Sequence, residues 1–156
     1  MKNEVALFSE ILPNLFMGGT HDDDIVLFGK ELPQLHERED FESVVTCYSY
    51  ARPVSWYVHE NRFGFADGPI DSKTFAKVLE LAIWLHGQWK SGNKCLSRCQ
   101  AGLNRSGLVI TLVLIIEGYS VDEAIALIRD KRDHNALCNP DFVRVAMNYA
   151  NSLVTA

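Results

Sequence analysis

A chain of 156 residues, 47% of them hydrophobic, can bury a proper core without disulfides or metals and reads as one domain over residues 1–156. No apolar run reaches membrane-spanning length, and Met1-Lys2-Asn3-Glu4 carries an acid with no long apolar stretch behind it, which argues against a secretory leader and a membrane partner. A net charge of −5 argues against a general nucleic-acid binder. The four cysteines (Cys47, Cys95, Cys99, Cys138) lack metal-ligand spacing, so a chain without metal or cofactor in a reducing, cytoplasmic setting is expected.

In chain order, residues 11–17 predict a short strand ended by Gly18-Gly19. Residues 21–24 are acidic and read as a solvated helix start, since three adjacent carboxylates cannot all face one ion; residues 25–35 are irregularly helical and broken by Pro33. Residues 41–47, rich in β-formers, predict a buried strand. Residues 48–56 form a loop carrying aromatics and Arg52-Pro53, and partial alternation over 57–65 predicts a further strand. Residues 74–89 have helical periodicity, with Phe75, Val78, Leu79, Ala82, Ile83 and Leu85 on a broad apolar face. Ser91-Gly92-Asn93 turns the chain into a strand over 94–97. Residues 108–116 are apolar nearly all round, which places that helix at the centre of the domain, and Gly118 stops it. Ser120-Val121-Asp122-Glu123 matches a capping box opening a helix with Ala124, Ile125, Leu127 and Ile128 on its apolar face. Asn139 caps a last helix with Pro140 at its first position. These alternating patterns predict an α/β fold, a central, mainly parallel sheet flanked by helices.

The chemistry lies in Arg98-Cys99-Gln100-Ala101-Gly102-Leu103-Asn104-Arg105-Ser106-Gly107, between the last strand and the apolar helix. Strand, tight loop and helix in that order make an anion cradle: the backbone N–H groups of Gln100, Ala101, Gly102, Leu103 and Asn104 turn inward, and the helix N-terminus adds positive potential. Arg105 closes the bowl with a planar fork that bonds two phosphate oxygens at once. Cys99, at the bottom among donors with no competing anion, is favoured as a thiolate, a nucleophile aimed at a bound phosphate. A buried structural cysteine at a strand end is the plain alternative. The midway glycine, Ser106 and the strand–helix context favour the functional reading.

This run resembles the signature loop of the cysteine-based protein tyrosine phosphatase superfamily, closest to its small dual-specificity-like members. Ser9-Glu10-Ile11-Leu12-Pro13-Asn14-Leu15-Phe16-Met17-Gly18 looks like their opening strand, and Asn139-Pro140-Asp141-Phe142 like the start of their last helix. The resemblance implies phosphoric monoester hydrolysis through a phosphocysteine. Cys99 attacks, Arg105 and the loop amides hold the equatorial oxygens, and Ser106 stabilises the departing thiolate. An aspartate on a preceding loop would protonate the leaving group and then activate water. Asp67 stands at the family's usual separation from the cysteine and precedes Gly68, which would let the loop move. Asp71 resembles the aspartate that starts the next helix and is better read as a cap.

Where the family has histidine before the cysteine, this chain has Arg98. Its charge is a candidate for tuning the thiol, or its side chain reaches solvent on the face opposite Cys99. Cys47 stands where some relatives place a resolving cysteine for redox protection, or is a small buried residue. Nothing in the sequence brings Cys138 to the pocket. Tyr48, Tyr50, Arg52 and the loop Arg132-Asp133-His134-Asn135 are candidates for the rim. The expected partner is a phosphorylated protein, with phosphotyrosine first and phosphoserine or phosphothreonine beside it. Leu103-Asn104-Arg105 also resembles the RNA 5′-triphosphatase branch; the acidic chain and scarce loop lysines weigh against RNA and against inositol lipids. A catalytically weak phosphoprotein-binding module is the answer from another class.

Overall fold

The hairpin at the start of the fold puts two strands where the apolar pattern predicts one. In the computed structural model, which describes residues 6–20 and 41–154, β1 (Phe8–Leu12) and β2 (Leu15–Gly18) pair antiparallel around Pro13-Asn14. Asn14 takes φ 67°, a conformation asparagine tolerates, so two residues suffice to reverse the chain and the apolar run continues across the turn. The acidic stretch at 21–24 and the irregular pattern at 25–35 lie outside the described residues.

Among the described residues three more strands join the sheet: β3 (Ser43–Thr46), β4 (His59–Arg62) and β5 (Cys95–Arg98), in the order β1-β2-β5-β3-β4. The β2–β5, β5–β3 and β3–β4 pairs are all parallel, giving the mainly parallel α/β fold expected. β3 and β5 are buried along their whole length, as parallel strands covered on both faces must be. β4 is shorter than the 57–65 alternation suggests. Its polar residues His59, Glu60, Asn61 and Arg62 suit a sheet edge.

The helices are α1 (Ser72–Lys90), α2 (Arg105–Glu117), α3 (Val121–Lys131) and α4 (Pro140–Val154). α2 is the axis of the core: every residue from Ser106 to Ile115 is buried, and it packs on α1, α3 and α4 as well as on the sheet. It ends at Gly118 in the left-handed region, φ 119°, whose N–H reaches back to the Leu114 and Ile115 carbonyls. The capping box of α3 forms as expected, with Ser120 and Glu123 bonding reciprocally. On α1 the apolar face is narrower than predicted. Val78, Leu81, Ala82 and Leu85 are buried, whereas Ile83 points outward and is 54% exposed.

Strand alternation divides β5 between two environments. Cys95 and Cys99 belong to the core under α2, and Ser97 donates to the Ser106 carbonyl at the start of that helix (3.2 Å). Leu96 packs with Phe41 and Val44 in a second cluster, and Arg98 shares that face. The loop leaving β5 therefore opens at the carboxyl edge of the sheet, directly into the N-terminus of the buried helix. This is where an open α/β sheet places a ligand.

Candidate active site

Cys99 is 2% exposed at the floor of the loop. Its Sγ accepts from the Gly102 N–H at 3.3 Å and lies 3.3 Å from Ser106 Oγ. Gly102 takes φ 75°, and a Cβ there would stand 2.5 to 2.6 Å from Gly18, Gly19 and the Arg132 guanidinium, so only glycine can make this turn. The loop's carbonyls are tied backwards. Thr20 N–H donates to Gln100 O (2.9 Å), Arg132 donates to Gly102 O through Nε (3.0 Å) and to Ala101 O through Nη2 (3.5 Å), and Leu137 N–H donates to Leu103 O (3.0 Å). Each peptide plane with its carbonyl held on one side offers its N–H to the other, the geometry of an anion nest.

Arg132 is thus not a rim residue. It is buried behind the loop, and its other nitrogen, Nη1, reaches the Ala6 carbonyl and Ser9 Oγ (3.1 Å). Burial pulls its guanidinium pKa down, while the negative charges of a Cys99 thiolate and Asp133 act against that pull. Asn104 is the N-cap of α2 yet makes no side-chain bond to its own helix, so the first-turn N–H groups are not consumed by a cap. Arg105, the first residue of α2, donates to the Phe65 carbonyl (3.1 Å), its guanidinium carbon 5.3 Å from the centre of the Tyr48 ring. Tyr48, Ser49, Tyr50, Gly64, Phe65 and Arg105 line a cavity of about 250 Å³ beside it. Arg52, the other rim candidate of that loop, is buried.

Asp67 faces the loop between Cys99 and Arg105. Its Oδ2 accepts from Asn104 Nδ2 (3.0 Å) and its Oδ1 from Asn139 Nδ2 (2.9 Å). Asn139 also donates to the Gly68 carbonyl (3.1 Å), and the Ile70 N–H donates to Asp141 Oδ2 (2.7 Å). The loop that Gly68 was expected to free is fastened along its length. Asp71 caps α1, accepting from the Thr74 N–H at 2.7 Å, and that bond holds its carboxyl below the usual range. The sequence marks Asn139 and Asp141 as the start of the last helix and says nothing of their bonds to the Asp67–Ile70 segment, because those partners lie about seventy residues away in the chain, where no local pattern reaches.

Arg98 corrects the solvent reading. Its side chain points away from Cys99, as alternation requires, but it is fully buried. Nε donates to Thr46 Oγ1 (3.0 Å), and Nη2 donates to the Arg52 carbonyl (2.6 Å) and lies 3.4 Å from Glu60 Oε2. Thr46 Oγ1 donates to the same Glu60 oxygen, which Arg62 also contacts at 3.1 Å. The guanidinium charge is therefore engaged by a carboxylate on the edge strand and by the loop that carries Tyr48 and Tyr50.

Cys47 follows β3 and donates its N–H to the Arg98 carbonyl (2.9 Å), which sets it beside Cys99 on neighbouring parallel chains. Burial pushes its thiol well up, and the negative charge at Cys99 adds to that, against smaller opposing effects of Arg105 and Ser97. Burial and Glu42 push the Cys95 thiol to about 12. Cys138, which the sequence left far from the pocket, is exposed next to it, its Sγ 3.6 Å from Asn104 Nδ2. The tie from Leu137 to Leu103 carries it there.

No family model matches the chain. It is 25% identical over 92 residues to "Putative tyrosine phosphatase 123R" of Invertebrate iridescent virus 6, a match covering 54% of this chain and 65% of the viral protein, under two thirds of that relative's length. Among solved structures, human DUSP28 superposes with a TM-score of 0.77 at 21% identity, over 94% of this chain and 98% of its own. A mouse "putative dual specificity phosphatase" complexed with zinc tungstate gives 0.76 at 22%, over 98% and 92%. The fold is that of these dual-specificity phosphatase structures.

The Arg98 cluster makes a prediction about stability. Arg98→Met takes from the largely buried Glu60 carboxylate one of its two guanidinium partners, Arg62 remaining, and should cost up to about 3 kcal/mol in urea titrations. Adding Glu60→Gln should recover part of that loss. Equal losses for the single and double variants would mean that the pair is not energetically coupled.

Proposed function

We propose that the chain is a cysteine-dependent phosphoric monoester hydrolase acting on phosphorylated proteins, phosphotyrosine first and phosphoserine or phosphothreonine beside it. One observation carries this reading: Cys99 Sγ lies 3.3 Å from both the Gly102 N–H and Ser106 Oγ, on the floor of a loop whose carbonyls are held away from it. In the reaction Cys99 attacks phosphorus in line. The N–H groups of Gln100 to Asn104 and the Arg105 fork take the equatorial oxygens, Arg105 exchanging the Phe65 carbonyl for phosphate. As the P–O bond breaks, Asp67 gives its proton to the leaving oxygen and a phosphocysteine remains. Asp67, now a carboxylate, takes a proton from the attacking water. The S–P bond breaks, phosphate leaves, and the thiolate returns to the Ser106 hydroxyl.

The cavity beside Arg105, walled by Tyr48, Tyr50 and Phe65, suits the flat ring of a phosphotyrosine. A triphosphate end would call for further cations at the mouth. Among the described residues Arg105 is the single cation lining that cavity, while Arg52, Arg98 and Arg132 are buried in the fold. The four free cysteines support a reducing, cytoplasmic setting. No helix among the described residues is long and apolar enough to cross a membrane.

Cys47 is assigned the redox role. Peroxide converts the Cys99 thiolate to a sulfenic acid, and the Cys47 thiol then condenses with it, releasing water and forming a disulfide. Non-reducing peptide mapping after peroxide should find the Cys47–Cys99 pair; Cys99 recovered only as sulfinic acid, with Cys47 reduced, would end that assignment.

For the reaction itself, Cys99→Ser should remove turnover of p-nitrophenyl phosphate and of a phosphotyrosyl peptide while tungstate binding persists. Asp67→Asn should cost about two orders of magnitude with the peptide, and Asp71→Asn far less. Parent-level turnover by Cys99→Ser would sink the reading, and so would a protein that binds tungstate but turns over nothing. A larger loss for Asp71→Asn would reassign the acid.

A further inference from the structure

Both carboxylate oxygens of Asp67 are held by asparagine side chains, and the two asparagines are held by each other. Asn104 comes from the phosphate loop and Asn139 from the start of α4. The Asn139 N–H donates to Asn104 Oδ1 (3.0 Å), which closes a ring of three bonds through Asp67. Asn139 Oδ1 meanwhile caps α4, accepting from the N–H groups of Asp141 (3.0 Å) and Phe142 (3.3 Å). A cap needs only that oxygen, and serine or aspartate would supply it as well. The amide nitrogen is unnecessary to the cap, and it is directed at Asp67 and the Gly68 carbonyl. Asparagine alone among the good caps has both a fixed acceptor and a fixed pair of donors. Asn104 shows the complementary choice: it stands at an N-cap and leaves its own helix uncapped to reach Asp67 and Asn139.

We propose that Asn139 is a positioning residue for the general acid: with Asn104 it fixes the Asp67 carboxyl over the phosphate loop, so that the acid loop is closed before substrate arrives. This rests on the phosphatase reading. An N–H donated to each oxygen leaves each a further lone pair, and the transferred proton must occupy one of those, which fixes the direction in which it is delivered. Because Asn104 belongs to the same loop as the nucleophile, acid and nucleophile move as one body. Pre-setting such a geometry lowers the barrier without adding to substrate affinity, and a misplacement of about 1 Å costs up to about 10²-fold.

The test uses Asn139→Ser, which keeps an oxygen cap and loses the donor, and Asn139→Asp, which keeps the cap and sets a carboxylate against Asp67. With the phosphotyrosyl peptide, kcat should fall about tenfold or more in Asn139→Ser and further in Asn139→Asp, with KM nearly unchanged. Esters whose leaving groups need no proton should lose much less. Placed in an Asp67→Asn background, Asn139→Ser should cause almost no additional loss, since the group it positions is gone. Equal losses in the two backgrounds, or losses independent of the leaving group, would overturn the proposal and leave Asn139 a helix cap. A parent chain without turnover on any ester would overturn the phosphatase reading, and this assignment with it.

Discussion

A peptide plane can turn its N–H toward a bound anion only if its carbonyl finds a partner on the far side, and in a tight loop at the heart of a fold those partners must be built in. Arg132 is the main one here. Its guanidinium reaches the carbonyls of Gly102 and Ala101 from behind, and it is itself anchored to β1 through Ser9 and to the residues before β1 through the Ala6 carbonyl. Gly102 makes the arrangement sterically open, because any Cβ there would collide with Gly18, Gly19 and Arg132 together. The nest, the sulfur at its floor and the helix dipole behind it all depend on this one braced turn. A buried guanidinium is costly to desolvate, and four hydrogen bonds to carbonyl and hydroxyl oxygens are what make its burial tolerable.

The rest of the fold supplies rigidity to that turn. β5 sits between β2 and β3, so both shoulders of the loop are clasped by neighbouring strands, and α2 is enclosed by the three other helices. On the reverse face, Arg98 joins Thr46, Glu60 and the Arg52 carbonyl. Arginine at this position reaches farther than histidine would. It links the sheet to the aromatic loop that walls the cavity beside Arg105. The same logic of remote fastening holds the segment from Asp67 to Ile70, whose bonds come from Asn104 and from the start of α4.

What was legible in the sequence was what is contiguous. Cys99 and Arg105 belong to a single loop, so their spacing and the strand–helix context identified the nest. The wholly apolar run after it located α2 at the centre. The antiparallel hairpin was hidden because its turn uses only Pro13 and Asn14 between two apolar stretches that read as one. Arg132 and Asn139 were unreadable in their roles for a different reason. Arg132 binds backbone carbonyls, which carry no residue identity, and Asn139 reaches an aspartate on the far side of the domain. For Arg98 the solvent alternative failed because alternation correctly turns it from Cys99, yet gives no sign that Glu60 waits on the edge strand to keep it buried.

The central claim is that Cys99 forms a covalent bond to phosphorus during turnover. Acid quenching in the first moments of reaction with p-nitrophenyl phosphate, followed by peptide mass spectrometry, reads that bond directly. Slowing the second step with Asp67→Asn, which lacks the carboxylate that activates water, favours its accumulation. The account predicts a phosphate adduct on the peptide that carries Cys99, decaying as inorganic phosphate appears. Continued turnover with Cys99 unmodified throughout, or an adduct on any other residue, would contradict it.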